Sequence, residues 1–411
     1  MDRMVTVDLA VIGAGPAGSA LAGRVAARGW RVALIERCSF PRDKLCGEFL
    51  SPEARHYLAA LGLVDEIASL RPARITRLAI TVPGRRPLSR PLPAPAWGLS
   101  RRALDHVLVR WAERSGAALL ERHHVRAVHA CADHAVCGSG RDAGFMLRVE
   151  SAGGTRRIAA RAVCDAGGSA GRFAARPAGG QCGPRSPAPG QPAPFVAFQT
   201  HLDATGDGAE EDERAEAAAI QLHTFAGGYC GVNRIESGRE TLCALVGWPR
   251  WMASPERRPD ALLRAMRREN PHLDDALRGR VIDPATWLSI AHAGAARGPE
   301  AGRRPAIPLL AVGDAAAMIA PAAGDGISMA LRSAEIAADV LLRVLGGDES
   351  WEAGVRRFDD AWRREIRGRL RVARFIHDAL SRPARAAALA ASAALIPPLA
   401  GILFRASRGE A

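Results

Sequence analysis

The order of apolar and polar positions divides the chain into recognisable units. Val7, Leu9, Val11 and Ile12 form a run apolar enough for a strand buried on both faces, and Val32 to Ile35 form a second. The stretch between them has helical spacing and is closed by Gly29. A helix is predicted from Pro52, with Ser51 as N-cap, Leu58, Leu61 and Leu63 as its apolar face and Gly62 as terminator. Ile75, Leu78, Ile80 and Val82 alternate with less apolar neighbours and then give way to prolines, which predicts strands of a separate antiparallel sheet. Leu104, Val107, Leu108 and Trp111 recur at helical spacing, and strand-like runs follow at 125–130, at 145–150 and from Arg161 to Cys164.

The second half opens on the proline- and glycine-rich stretch 176–194, which holds no regular element and predicts a crossing between domains. The acidic run Glu210 to Glu216 predicts a solvated face. Strong sheet signals follow, with Ile235 and Leu242 flanking a Glu-Ser-Gly turn that predicts a hairpin. A helical pattern covers Pro259 to Gly279, and a strand covers Thr286 to Ala291. Leu309 to Val312 predicts a last buried strand, and Ile327 to Leu345 a long helix. Residues 351–378 form an arginine-rich amphipathic helix. The nineteen uncharged residues Ala386 to Phe404 approach the length of a bilayer span. Their alanine content and Pro397-Pro398 favour packing on the protein body, with contact at a membrane surface as the alternative.

A length of 411 residues calls for two or three structural units, and a net charge of +13 raises the question of an anionic partner. Lys44 is the only lysine, and the arginines are scattered without interleaved aromatics, so nucleic acid is not the expected partner. The eight cysteines form no C-x-x-C pair and no zinc-like cluster with histidine, so no metal is expected. The first strand begins without a signal-like apolar segment, which predicts a cytoplasmic protein, peripheral to a membrane if the C-terminal helices touch one.

Candidate chemistry concentrates in the turn after the first strand. Gly13, Gly15 and Gly18 stand in G-x-G-x-x-G register, with Pro16 and Ala17 opening the helix. Such a turn brings free backbone N–H groups against a pyrophosphate, and Glu36 closes the second strand where a ribose hydroxyl is held. This predicts a dinucleotide site.

Three stretches together carry a resemblance: this fingerprint with Glu36; the helix start Ser100-Arg101-x-x-Leu104-Asp105; and Gly313-Asp314-Ala315-Ala316 followed by Pro321-x-x-Gly324-x-Gly326. In order and spacing the chain resembles the FAD-dependent oxidoreductases that include aromatic hydroxylases, flavin halogenases and geranylgeranyl reductases. The resemblance implies an α/β fold: a Rossmann-like FAD-binding domain of the glutathione reductase and aromatic hydroxylase type, an inserted antiparallel β-sheet substrate domain, and C-terminal helices. The implied boundaries are 1–73, 97–175 and 293–346 for the FAD domain, 74–96 and 176–292 for the substrate domain, and 347–411 for the helices.

It further implies that Gly13, Gly15, Pro16, Ala17 and Gly18 cradle the pyrophosphate and that Glu36, beside Arg37, holds the adenosine ribose. Arg101 would lie by the phosphate and ribityl groups, and Gly313 and Asp314 at a ribityl hydroxyl. Pro321, Gly324, Gly326 and Ile327 would place backbone N–H groups along the flavin edge. Pro41-x-x-x-x-Cys46-Gly47, with Lys44 inside it, resembles a segment of the geranylgeranyl reductases and would set Cys46, the one catalytic candidate, near the flavin ring. Departures also count. Asp165-Ala166 replaces the Asp-Gly of NAD(P)H-using hydroxylases, Ala317 stands where a histidine often follows, and the halogenase W-x-W-x-I-P motif is absent.

Phe198, His223, Tyr229, Asn233, Trp248 and His292 are the candidates to line a substrate pocket. The first functional reading is a monooxygenase that hydroxylates a hydrophobic or phenolic secondary metabolite, reduced by NAD(P)H or a reductase partner. The alternative is a geranylgeranyl-reductase-like flavoprotein that saturates an isoprenoid or activated double bond. A halogenase and an electron-relay flavoprotein rank below both, and oligomeric state is left open.

Overall fold

The computed structural model describes residues 4–130, 144–170, 195–204, 218–291 and 309–408. The crossing at 176–194, the acidic run at 210–216 and His292 lie outside the described residues. Strand β1 (Met4–Ile12) feeds two cores. Leu9 and Val11 join one apolar core, while Val7, Ala10 and Ile12 join a second on the opposite face. Burial on both faces is why the strand reads as continuously apolar.

β1 pairs in parallel with β2 (Val32–Ile35) and β9 (Gly154–Asp165), and β2 pairs with β6 (Ala118–Leu120). The sheet then turns antiparallel through β8 (Phe145–Ser151) to β7 (His124–Ala130). A short last strand, Leu310–Ala311, lies parallel to β9, with Leu310 opposite Cys164 and Ala311 opposite Asp165. Helices α1 (Pro16–Ala26), α4 (Arg101–Arg114) and the long helix Gly326–Gly346 share the first core with Leu9, Val11 and Leu34. Two small helices, α2 (Pro52–Ala59) and α3 (Val64–Ser69), add Leu58 and Ile67 to it.

The second sheet begins with β3 (Phe49–Leu50), β4 (Ala73–Thr81) and β5 (Leu88–Gly98). It continues through β10 (Phe195–Ala204), β11 (Ala218–Phe225), β12 (Gly228–Arg234) and β13 (Glu240–Gly247), with β14 (Arg280–Ile282) and β15 (Leu288–Ala291) on β10. Its neighbours are antiparallel except β11 and β4. One face carries Phe198, Leu202, Phe225 and Val246 beneath Leu262, Leu263 and Met266 of the helix Pro259–Glu269. The other face carries Ala197, Leu222, Tyr229 and Leu245 beneath Leu380 and Ala386 of the C-terminal helices.

Several element ends differ from the pattern reading. The helix expected from Pro259 to Gly279 breaks at Asn270, whose side chain accepts from the His272 amide at 3.1 Å and starts a second helix, Pro271–Ala276. Pro271 has no N–H to continue the first one. Ser51 precedes α2 as expected but does not cap it; its hydroxyl donates instead to Asp325, 3.3 Å away. The apolar tail is two helices, Pro383–Leu395 and Pro397–Arg408, and no described helix is long and apolar enough to cross a membrane.

Phe198 is fully buried among the helix-covered apolar residues. Phe198→Ala is therefore expected to cost about 3–5 kcal/mol of stability, read as a lower denaturant midpoint, while leaving cofactor affinity unchanged.

Candidate cofactor and substrate site

The first turn is shaped by close backbone approach. Gly13 has φ 101°, and a Cβ there would stand 2.5 Å from the Ala166 carbonyl oxygen. A Cβ on Gly18 would stand 1.9 Å from the oxygen of Gly13 itself, so helix α1 starts directly against the turn. The same packing explains why β9 ends in small residues at Ala166 and Gly167. Pro16 opens α1, and the Ala17 methyl lies 3.0 Å from where a Cβ on Gly313 would be. The turns at 13–18 and 313–314 therefore touch. Ser333 Oγ fixes the second one by accepting the Gly313 amide at 2.8 Å.

Charged groups collect around these turns. Glu36 accepts the amides of Ala14 at 3.0 Å and Cys38 at 3.1 Å, and Arg42 approaches it to 3.6 Å. Burial pushes its carboxyl up, but Arg42, the two amides and Lys44 outweigh that and hold it below the usual range. Arg101 opens α4 behind the Ser100 cap and grips Asp105 with two hydrogen bonds of 2.7 Å. Its Nη2 lies 3.8 Å from where a Cβ on Gly15 would be. Burial disfavours the guanidinium charge, and Asp105 overrides it.

Arg42 also reaches Asp105, at 3.2 Å, while its buried Nε has no partner. Lys44 is exposed at its surface, yet the protein around it and the nearby Arg101, Arg42 and Arg37 hold it below its ordinary value. Asp314 opens to solvent, yet the protein around it pushes its carboxyl up against the pull of Arg101 and Lys44. Four cations thus share this region with Glu36, Asp105 and Asp314. The excess positive charge, beside a helix start with free N–H groups, suits a pyrophosphate.

Residues that the motifs did not single out join this cluster to the second sheet. Glu48, buried and at φ 53°, accepts the Arg101 amide at 2.9 Å through one carboxylate oxygen and lies 2.8 Å from His201 Nε2 through the other. Its carbonyl oxygen accepts from Asn233 Nδ2 at 3.2 Å. Glu236, in the hairpin turn, accepts both the amide and the hydroxyl of Ser100. Burial pushes the His201 imidazole down, but the hydrogen bond and charge of Glu48 outweigh it, so the ring sits above its ordinary value. The Cys46 amide donates to Gln199 Oε1 at 2.7 Å, and its sulfur accepts the Glu48 amide at 3.3 Å. Burial pushes the Cys46 thiol up despite Arg101 nearby, so the group is a protonated thiol at neutral pH.

The other pocket candidates separate. Tyr229 faces the C-terminal helices, its hydroxyl accepting the Ala322 amide at 3.0 Å just before Gly324. Asn233 is in the joint with Glu48, and its Oδ1 is buried without a partner. Phe198 and His223 point to the opposite face. His223 is fully buried, 2.8 Å from Thr81 Oγ1, and burial lowers its ring to about 4. Trp248 is half-buried and starts the helix Trp248–Ala253, at the end of β13 away from Thr241, the partner of Gln199. Among the described residues no cluster of histidine, cysteine or carboxylates could hold a metal.

Residues 6–353 match the family model described as FAD binding domain. Menaquinone reductase of Mycobacterium tuberculosis is 38% identical over 127 residues, which are 30% of this chain and 31% of that protein. The match thus spans less than a third of the length of these first curated relatives. Digeranylgeranylglycerophospholipid reductase 1 of Methanopyrus kandleri is 26% identical over 376 residues, 91% of this chain and 90% of that protein. Among solved structures, a flavin-dependent brominase superposes with a TM-score of 0.74 over 98% of this chain and 93% of its own, at 17% identity. The myxobacterial chondrochloren halogenase gives 0.69 over 88% and 80%, at 24% identity. These structures share the fold.

The residues present fit FAD. The side-chain-free turn at Gly13, Gly15 and Gly18 and the cations Arg42, Lys44 and Arg101 would hold the pyrophosphate. Glu36 and Asp314 would hold sugar and ribityl hydroxyls, and the N–H groups from Gly324 to Ile327 would lie at the ring. FAD supplies the redox chemistry when bound. Arg101→Ala, which leaves Asp105 with Arg42 as its only cation among the described residues, is expected to weaken FAD binding about tenfold to a hundredfold, measured by flavin fluorescence titration. A raised His201 value means that its stabilisation is complete below its unfolded value of about 6.5 and lost as pH rises through the folded one. The gap in melting temperature between wild type and His201→Gln should accordingly be widest near pH 6 and narrow toward pH 9.

Proposed function

This chain belongs to the FAD binding domain family, and from that premise we propose that it is a flavin-dependent reductase saturating a carbon–carbon double bond in a long apolar, isoprenoid-type substrate. The observation that carries the reading is the placement of Cys46. Its thiol lies beside Arg101 and packs on the core of the first domain, while the preceding residue, Leu45, packs on the apolar face that carries Ala197, Leu222, Tyr229, Leu245 and Leu380. A cleft of about 450 Å³ lined by Phe195, Gly227, Gly247, Asp378 and Ser381 opens at the far end of that face, four residues along β10 from Gln199. An extended apolar chain suits such a surface better than a compact polar ring does. One relative that aligns along nine-tenths of both chains is named digeranylgeranylglycerophospholipid reductase 1.

Saturation places a hydride on one alkene carbon and a proton on the other, so the π bond is replaced by two C–H bonds. The hydride would come from the reduced cofactor that the glycine turns and cations hold, and the Cys46 Sγ–H would supply the proton. Gln199 orients the segment through the Cys46 amide, and the apolar face keeps water from the acceptor carbons. An external donor, NAD(P)H or a reductase partner, restores the reduced cofactor, and solvent restores the thiol proton.

Hydroxylation stands first on the sequence motifs alone. It falls to second here because two relatives that align along more than four-fifths of both chains are named reductases. One experiment separates them. Chemically reduced enzyme held without oxygen and offered a prenyl alcohol should yield a product heavier by two hydrogens. Cys46→Ala should retain FAD but lose about 10²–10⁴-fold in rate. Product only under oxygen, heavier by one oxygen atom, contradicts the proposal.

A further inference from the structure

The last helix, Pro397–Arg408, ends in a residue that behaves unlike the rest of the tail. Leu395, Ile396 and Ile402 are exposed, whereas Arg408 is 4% exposed. Its Nη2 donates to the Ala323 carbonyl at 3.0 Å and lies 3.5 Å from where a Cβ on Gly324 would stand. Its Nη1 pairs with Glu53 at 3.2 Å, and its guanidinium stacks over Phe404 at 3.8 Å and faces Phe49 at 5.6 Å. Phe49 in turn closes on Gly324, which has φ 64° and leaves no room for a side chain.

The neighbouring carboxylate is Asp325, itself 1% exposed. It accepts from Ser51 Oγ at 3.3 Å and pairs with Arg369 of the helix Trp351–Leu380 at 3.5 Å. Arg369 also lies 3.8 Å from Glu365. The charges facing Asp325 are therefore Arg408 from the last helix, Arg369 from the helix before the tail and Glu53 from α2, with the neutral Ser328 hydroxyl close by on the helix that Asp325 precedes. Two guanidinium groups balance Asp325 and Glu53 in the turn that leads into Gly326 and Ile327. Burial raises Asp325 to about 6 even with both cations in place.

We propose that Arg408 is a positioning residue of the cofactor site: the C-terminal helix reaches back to hold the Ala323–Asp325 turn, and its charge sets the electrostatics at the flavin edge. It acts through the turn's carbonyl and through Asp325, and requires no contact with the flavin. Without it, the buried Asp325 and the half-buried Glu53 face one guanidinium. The turn that offers N–H groups to the cofactor then carries excess negative charge, which opposes the negative charge gained on reduction. The inference rests on the FAD site and is independent of which substrate is reduced.

The test uses full-length protein loaded with FAD, in variants Arg408→Met, Arg408→Lys, Glu53→Gln and, as a control on the same helix, the exposed Arg405→Met. Flavin midpoint potential and FAD dissociation constant are measured between pH 5.5 and 8, with melting of the FAD-free protein recorded in parallel. Arg408→Met should weaken FAD binding about tenfold or more, the change expected when one charge-assisted hydrogen bond is lost. It should also move the potential negative, most strongly above pH 6 where Asp325 is ionised. Arg408→Lys should restore most of both, and Arg405→Met should change neither. Glu53→Gln removes a carboxylate and should move the potential in the opposite, positive direction. A purely structural latch predicts losses of the same sign for Arg408→Met and Glu53→Gln, and that outcome overturns the proposal. Unchanged affinity and potential in Arg408→Met also overturn it. If Arg408→Met does not fold, a Glu53→Gln potential that stays put or moves negative does the same.

Discussion

The contact that everything else depends on is between two pieces of backbone: the oxygen of Gly13 and the start of helix α1 at Gly18. A single methyl at Gly18 would lie 1.9 Å from that oxygen. With no side chain there, α1 begins at the end of β1, and its free N–H groups open where β9 ends at Ala166 and where the turn at Gly313 abuts Ala17. Three distant parts of the chain thus meet at one point. Any rise in the distance between turn and helix would separate the cations from the amides that together meet a pyrophosphate.

A second constraint links this centre to the second sheet. Arg101 could serve a phosphate only if its helix start were fixed, and three carboxylates fix it. Asp105 holds the guanidinium, Glu48 holds the amide, and Glu236 holds the preceding serine. Two of the three, Glu48 and Glu236, stand at strand ends of the second sheet. Glu48 is simultaneously the partner of His201, and its left-handed backbone angle shows that local preference yields to this joint. Cofactor and substrate surfaces are therefore held in register by buried polar contacts, which are directional in a way apolar packing is not.

Much of this was legible in the chain. Periodicity located β1, α4 and the long helix Gly326–Gly346 because each buries a well-defined face, and the glycine register announced the phosphate turn because only close backbone approach demands it. The joint was not legible. Glu48, His201, Glu236 and Gln199 are ordinary residues in sequence, and their meaning lies in pairings across 42 to 153 positions that no local pattern encodes. Phe198 and His223 read as pocket residues because aromatic and polar side chains on sheet strands look alike from either face. Strand alternation placed both beneath the covering helices instead. Arg408 was hidden for a further reason: a lone arginine at the end of an apolar tail reads as solvated until the fold brings it to Asp325.

The account stands on one extended FAD held jointly by the turns at 13–18, 313–314 and 324–327. Its most direct test is a calorimetric titration of the FAD-stripped chain with FAD, paired with the absorbance of the complex. The account predicts saturation at one FAD per chain with a yellow product, and loss of binding in Gly18→Val, where a side chain must part the turn from the helix. A chain that stays colourless under saturating FAD, or a Gly18→Val variant that binds as well as wild type, would contradict it.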